Sequence, residues 1–404
     1  MGFYSVWPML ALLVAVWAVV ATPLFRAADS PPIPSRSRVE TLDGLRGFLA
    51  LAVFFHHGAL YHTFIQDGLW RPPPDRLYAL LGPFGVALFF MITGFLFWSQ
   101  ILEKQGRPDW VRLYIGRIFR IGPIYWVAAG GAMLVTLALT GFRVQPQLAA
   151  LALDTIKWSG LGVFADASFN GFADAGVLLA NVTWSLRYEW LFYASLIVTA
   201  LFARNRLTGW AFPAAGLAAS MAVLTGIDLT GQSPGQWPFL ALFFVGMLTA
   251  AAKPWVAKVD FARPLYSVAA AALMLAVLAI FRTAYDAAPI ALLGAAFFLI
   301  ANGATLFGLL ATRPARRLGD VSFGIYLLQG FVLSALFASQ SARDFALASP
   351  WRHWMLIGAG AFMLVGVATA AHALIERPGV DLGRWVAGRL RRKTASAQSG
   401  APVL

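Results

Sequence analysis

Long apolar runs, each interrupted by a short polar or charged segment, recur from one end of the chain to the other. A helix needs about 20 apolar residues to cross a bilayer, and these runs approach that length. The first, SVWPMLALLVAVWAVVATPLF, begins at Ser5. It has no basic leader and no small-residue cleavage site before Arg26, so it predicts an uncleaved helix. The segment RAADSPPIPSRSR then breaks the pattern with Pro and Ser, as a connector does, and the next helix starts near Asp43. Further spans fall near 45–62, 82–102, 118–140, 187–203, 209–227, 237–252, 265–282, 287–309, 321–339 and 354–375. The pattern predicts an all-α integral membrane protein, a polytopic bundle of about 11 transmembrane helices.

The longest interval between spans, Gly141 to Thr183, is too long for a simple turn. It reads either as a cover over a site or as a solvated loop with a short interfacial helix. No internal repeat stands out, which weighs against a transporter built from two related halves.

Composition agrees with the runs. Of 404 residues, 59% are hydrophobic and 12% charged, which leaves no polar remainder large enough for a soluble domain. The net charge of +13 sits in short segments between apolar runs rather than on one soluble face, which argues against nucleic acid as a partner. One set of these segments holds Arg36 and Arg38, Lys104, Arg107, Arg112, Arg117 and Arg120, then Arg204 and Arg206. It continues through Lys253, Lys258, Arg263, Arg313, Arg316 and Arg317 to the tail GRLRRK. The positive-inside tendency assigns that side to the cytoplasm. The opposite loops carry Asp67, Asp75, Asp154, Asp166, Asp174, Asp286 and Asp344. The C-terminus is then cytoplasmic and the N-terminus outside. With no cysteine, disulfides, thiol nucleophiles and thiolate metal sites are excluded.

Candidate chemistry begins in LDGLRGFLALAVFFHHG, Leu42 to Gly58. Arg46 and His57 lie three helical turns apart on one face, about 16 Å along the axis. His56 points elsewhere, and Asp43 lies within reach of the Arg46 guanidinium. His57 therefore sits near or just beyond the bilayer midplane, where a titratable group is costly unless it faces protein or a water-filled cavity. Two readings are open, a general base that titrates near neutrality or a neutral imidazole bonded between helices. Arg46 alone can snorkel.

Arg117 and Arg120 lie on adjacent turns and either grip phosphates through bidentate bonds or only mark topology. Glu189 and Tyr193, four residues apart, can bring a carboxylate and a phenol into one cavity. Trp184, Tyr188, Trp190 and Tyr193 also suit an interfacial aromatic belt. Ser322, Tyr326 and Gln329 form one helical stripe facing the bundle interior, suited to structural hydrogen bonding. Glu376, Arg377 and Pro378 end the last span, where Pro stops the helix and the charges can pair.

The DGLR opening, followed after ten residues by His57, resembles the start of the membrane-bound acyltransferase-3 family. Other segments are similar to that family's motifs, in order, across residues 40–380. GPFGVALFFMITGFLF (82–97) resembles the second-helix motif, and RIFRIGPIYW (117–126) the paired-arginine segment. WSLRYEWLFY (184–193), LGDVSFGIYLLQ (318–329) and IERP (375–378) complete the series. Departures occur at Ala87, where aspartate is common, at Gln329, where histidine is frequent, and at Arg187 and Trp190.

The resemblance implies a ten-helix acyltransferase core with one added N-terminal helix. Residues 1–39 form that helix and its connector, 40–380 the acyltransferase domain and 381–404 a basic cytoplasmic tail. It implies an O-acetyltransferase of the bacterial inner (plasma) membrane that moves an acyl group from acetyl-CoA or another acyl-CoA to a carbohydrate hydroxyl. The implied catalytic residues are His57 and Glu189, and the donor-binding residues are Arg46, Arg117 and Arg120. Asp43, Trp184, Tyr193 and Tyr326 would meet substrate. Expected partners are acyl-CoA, a carbohydrate acceptor, the lipid bilayer and proteins of polysaccharide synthesis, with no metal. A small glycosylated metabolite such as a macrolide is the alternative acceptor, and transport of a sugar conjugate the alternative class.

Overall fold

The computed structural model describes residues 2–29, 39–164, 168–226 and 235–399, with side chains described as far as residue 391. Arg36, Arg38, Asp166 and the tail side chains beyond residue 391, all used above to assign sides of the membrane, lie outside the described residues. The described residues form helices α1 (Val6–Ala21), α2 (Glu40–Asp67), α3 (Arg76–Glu103), α4 (Trp110–Leu139) and α5 (Leu148–Ser159). There follow α6 (Trp184–Thr199), α7 (Arg206–Leu224), α8 (Trp237–Ala252), α9 (Pro264–Ile280) and α10 (Ala287–Ala301). The remainder are α11 (Arg313–Asp320), α12 (Ser322–Leu336), α13 (Gln340–Leu347), α14 (Pro350–Ala371) and α15 (Arg377–Ser399).

Among the described residues, seven helices are long and apolar enough to cross a membrane, with α6 and α8 counted through their 3-10 extensions and α14 through α15. An eighth candidate is the pair α11 and α12, bent by 66°. The shorter apolar helices α1, α9 and α10 coincide with three further predicted spans. The protein is thus an all-α, multi-pass membrane protein.

Boundaries differ where polar residues continue a helix. The second helix begins at Glu40, before Asp43, and the fourth at Trp110, because Asp109 caps it by accepting from the Arg112 N–H at 3.0 Å. The predicted span near 321–339 is preceded by the separate helix α11, which a hydropathy window misses because four of its eight residues are charged. The long interval after α4 holds α5, a 3-10 turn at Ala175–Leu179 and a bridge between Phe169 and Phe172.

Helices in lipid gain nothing by hiding apolar surface from one another, so small residues that admit close backbone contact decide which ones pair. A Cβ on Gly44 would lie 2.0 Å from the Leu310 carbonyl oxygen, and one on Gly319 would lie 1.8 Å from that of Asp43. The glycines of DGLRG and LGD therefore seat α11 against the start of α2. Gly94 and Gly246 do the same for α3 and α8, where a Cβ would meet the carbonyl oxygens of Phe243 at 2.4 Å and Met91 at 2.1 Å. The first helix packs on α11 and α14. Its anchor is Arg317, only 1% exposed, which donates to the carbonyls of Val20 and Thr22 at 2.6 and 2.7 Å. Arg317 also donates to Asp29 at 2.6 Å.

Candidate active site

The starts of α2, α4 and α15, with the adjoining Arg313–Asp320, bring basic side chains to one end of the bundle. There the helices part around a cavity of about 460 Å³. Asp43, Arg46, Arg117, Arg120, Glu189, Tyr193 and Tyr326 all line it. Seven of the nine predicted site residues are thus brought together, from four helices.

Spacing on each helix explains the convergence. Arg117 and Arg120 project from neighbouring turns of α4, and the Arg117 guanidinium lies 4.8 Å from the ring centroid of Phe97. The ring covers one guanidinium face, and Tyr193 and Glu189 stand close enough to interact with the same guanidinium. The fourth helix is tied to the sixth by the Tyr114 hydroxyl, which donates to the Tyr193 carbonyl at 2.7 Å. One turn before Tyr193, Glu189 accepts from its hydroxyl at 2.7 Å, as the spacing of four predicts. Glu189 therefore engages Tyr193 rather than His57. Farther along the wall Tyr326 and Ser185 share a hydrogen bond of 2.8 Å, and Phe89, Phe90 and Leu186 make the cavity apolar.

His57 and Trp184 do not line this cavity. The Trp184 ring packs on Phe90 and Phe239, backing the wall. His57 stands about three turns beyond Arg46 on α2, 8% exposed. Its Nδ1 lies 3.0 Å from the Val53 carbonyl oxygen and 3.1 Å from Gln329 Oε1. The Gln329 amide is oriented by its other end, where Nε2 donates to the Tyr326 carbonyl at 2.7 Å. Both neighbours of Nδ1 are then acceptors, so Nδ1 carries the hydrogen and Nε2 the lone pair. Trp70, from the loop after α2, stacks on the imidazole at 5.9 Å with an interplanar angle of 23°. His57 is therefore covered from the end of the bundle opposite the arginines.

With this geometry in place, comparison with known proteins decides the class. The sequence profile of the family described as "Acyltransferase domain" matches residues 39–371. The chain belongs to this family. "Exopolysaccharide production protein ExoZ" of Rhizobium meliloti (strain 1021) is 28% identical over 314 residues, covering 75% of this chain and 91% of that protein. "Nodulation protein 10" of Rhizobium leguminosarum bv. viciae is 25% identical over 370 residues, covering 84% and 93%. No solved structure matches. The protein is an acyltransferase, and the family implies an acyl donor.

Three polar groups of this acyltransferase escape a reading by spacing alone. Gln329, which departs from the resembled motif, fixes the tautomer of His57 from 272 residues away. His372 and Glu376 line the cavity in a single π-turn, in which the Arg377 N–H bonds the His372 carbonyl five residues back. Such turns cluster at functional sites. His372 Nδ1 lies 3.4 Å from Glu376 Oε2, while His372 Nε2 and Glu376 Oε1 are buried without a hydrogen-bond partner among the described residues. The IERP motif pointed to Glu376, but nothing in the sequence singled out His372. None of the remaining departures lines the cavity: Ala87 is buried in the core, Arg187 is exposed and Trp190 donates to the Leu161 carbonyl at 3.0 Å.

Proposed function

We propose that this acyltransferase takes an acyl group, acetyl in the simplest case, from cytoplasmic acyl-CoA and transfers it to a hydroxyl of an envelope carbohydrate. The observation that carries the reading is the cavity at the basic end, where Arg46, Arg117 and Arg120 converge, with His57 held as an Nδ1–H tautomer farther along the same helix. Guanidinium forks match the phosphates of a CoA ester, and the apolar depth beyond them suits its acyl and pantetheine portions. The positive-inside tendency makes this end cytoplasmic, in an inner membrane whose cytosol supplies acyl-CoA. The printed name of the rhizobial relative, an exopolysaccharide production protein, supports a carbohydrate as the acceptor.

In the transfer, His57 Nε2 takes the proton of the acceptor hydroxyl as its oxygen attacks the thioester carbonyl. The carbon–oxygen bond forms, the carbon–sulfur bond breaks, and CoA leaves as the thiolate. The proton then passes from the imidazolium to the thiolate or to water, restoring the base. Glu189 and Tyr193 hold the reacting end between donor and acceptor, with Asp43, Tyr326 and the aromatic wall backed by Trp184 shaping the space.

The test uses full-length protein in nanodiscs with radiolabelled acetyl-CoA and a carbohydrate extract, comparing wild type with His57→Ala. The expected result is CoA release and labelled carbohydrate that require both the extract and His57. Normal acceptor labelling by His57→Ala at equal expression would overturn the role of His57. Sugar-conjugate movement in vesicles without any acyl-CoA would overturn the transfer.

A further inference from the structure

A second groove, of about 610 Å³, opens at the same basic end but apart from the catalytic cavity, between the ends of α3 and α8 and the start of α7. Arg204, Arg206 and Lys253 line it, and none of the three has an ion-pair partner among the described residues. One carboxylate, Glu103, shares the wall, leaving a local excess of two positive charges. The first turn of α7 adds backbone N–H groups at its positive dipole end. Deeper in, Ser99 Oγ is buried without a hydrogen-bond partner among the described residues.

The groove is also amphipathic. Its floor is apolar, formed by Phe95, Leu102, Ala250 and Ala251. At its rim Trp210 stacks on Trp255 at 5.7 Å with an interplanar angle of 21°. Paired indoles beside cations at the end of the spans mark the headgroup level of a bilayer. The adjoining α7 is also largely uncovered by protein, with only 22% of its apolar window buried, against 78% for α3.

We propose that this groove binds an anionic phospholipid. The phosphodiester lies between Arg204, Arg206 and Lys253, the glycerol passes Ser99, and the first acyl carbons rest on the floor. An inorganic phosphate would use the cations but leave the floor unfilled. Basic pockets between helices on the cytoplasmic side are suited to such headgroups.

The test is native mass spectrometry and lipid titration of the purified full-length protein with phosphatidylglycerol, phosphatidylcholine and inorganic phosphate. Phosphatidylglycerol is expected to remain bound and to raise the melting temperature, with no effect of phosphate alone. Arg204→Ala/Arg206→Ala is expected to lose about thirtyfold in affinity, the product of two charges near a headgroup. The control Lys104→Ala/Lys258→Ala removes equal charge from the same end outside the groove, and is expected to stay within about twofold of wild type. Equal weakening by both pairs would reduce the effect to general surface attraction and overturn the proposal. Equal binding of phosphatidylcholine, or binding of phosphate that displaces the lipid, would overturn it as well.

Discussion

Gln329 Oε1 stands 3.1 Å from His57 Nδ1 while the same amide donates to the Tyr326 carbonyl at 2.7 Å. The amide thus transmits the orientation of a backbone carbonyl on α12 to an imidazole on α2. Gln329→Leu keeps most of the volume but removes this constraint. It is expected to lower kcat for acyl transfer about 10- to 100-fold, with the KM for acyl-CoA unchanged. Steady-state CoA release at varied donor concentration measures both, and a change confined to KM would remove Gln329 from the positioning of the base.

Arg117 and Arg120 are expected to act on the donor. Each charged hydrogen bond lost weakens binding by about 2 kcal/mol, so Arg120→Ala raises the KM for acyl-CoA roughly 30-fold while leaving the KM for the acceptor in place. Arg117→Lys keeps the charge but not the fork, and is expected to recover only part of the affinity. Donor titrations by calorimetry, repeated at high salt, check both.

The anchor of the first helix gives a pH dependence. Hydrogen bonds from Arg317, with Arg313 adding to them, hold the Asp29 carboxyl well below the ordinary carboxylate range. A carboxylate with a depressed folded-state pKa contributes stability that is fully present above its unfolded value, about 4, and is lost as pH falls through the folded value. Acidification below about pH 4 is therefore expected to release α1 before the rest of the bundle. Asp29→Asn mimics the protonated state at neutral pH and leaves Arg317 buried without its counter-charge, at a cost on the order of 3 kcal/mol. Limited proteolysis of the connector at pH 7 and pH 3 would detect the release, and a pH-independent cleavage rate in the wild type would exclude it.

Close approach makes Gly44 intolerant of a side chain. With the Leu310 carbonyl oxygen 2.0 Å from where a Cβ would stand, Gly44→Ala must push the Leu309–Ala311 turn, which leads into α11, away from α2. The expected loss is about 1–3 kcal/mol of stability, seen as a lower melting temperature in detergent. Gly130→Ala, where a Cβ meets nothing within 4 Å, is the matched control.

Local periodicity made part of this legible in advance. Glu189 meets Tyr193 because four residues make one turn, while of Arg46 and His57 on α2 only Arg46 lines the cavity. Relationships between helices were not legible, because spacing carries no information across the bundle. Gln329 reads as one member of a polar stripe until α12 is seen beside α2. Trp184, expected at substrate, lies behind Phe90 because α6 is rotated to present Ser185 and Glu189 instead. The π-turn at His372–Glu376 shifts the helical register by one residue, so an α-helical wheel misplaces the side chains on that stretch.

The burial of Arg317 has a consequence for biosynthesis. Its carbonyl partner at Val20 lies 297 residues earlier in the chain. At ribosomal speeds of roughly 5–20 residues per second, those carbonyls enter the membrane on the order of 15–60 seconds before the arginine exists. Throughout that interval the first helix has no anchor and remains at the translocon or among lipids, exposed to whatever quality-control protease patrols unassembled segments. Translation rate between the first and eleventh helices therefore becomes a determinant of yield, and slowing it should increase degradation of the nascent chain without altering the finished protein.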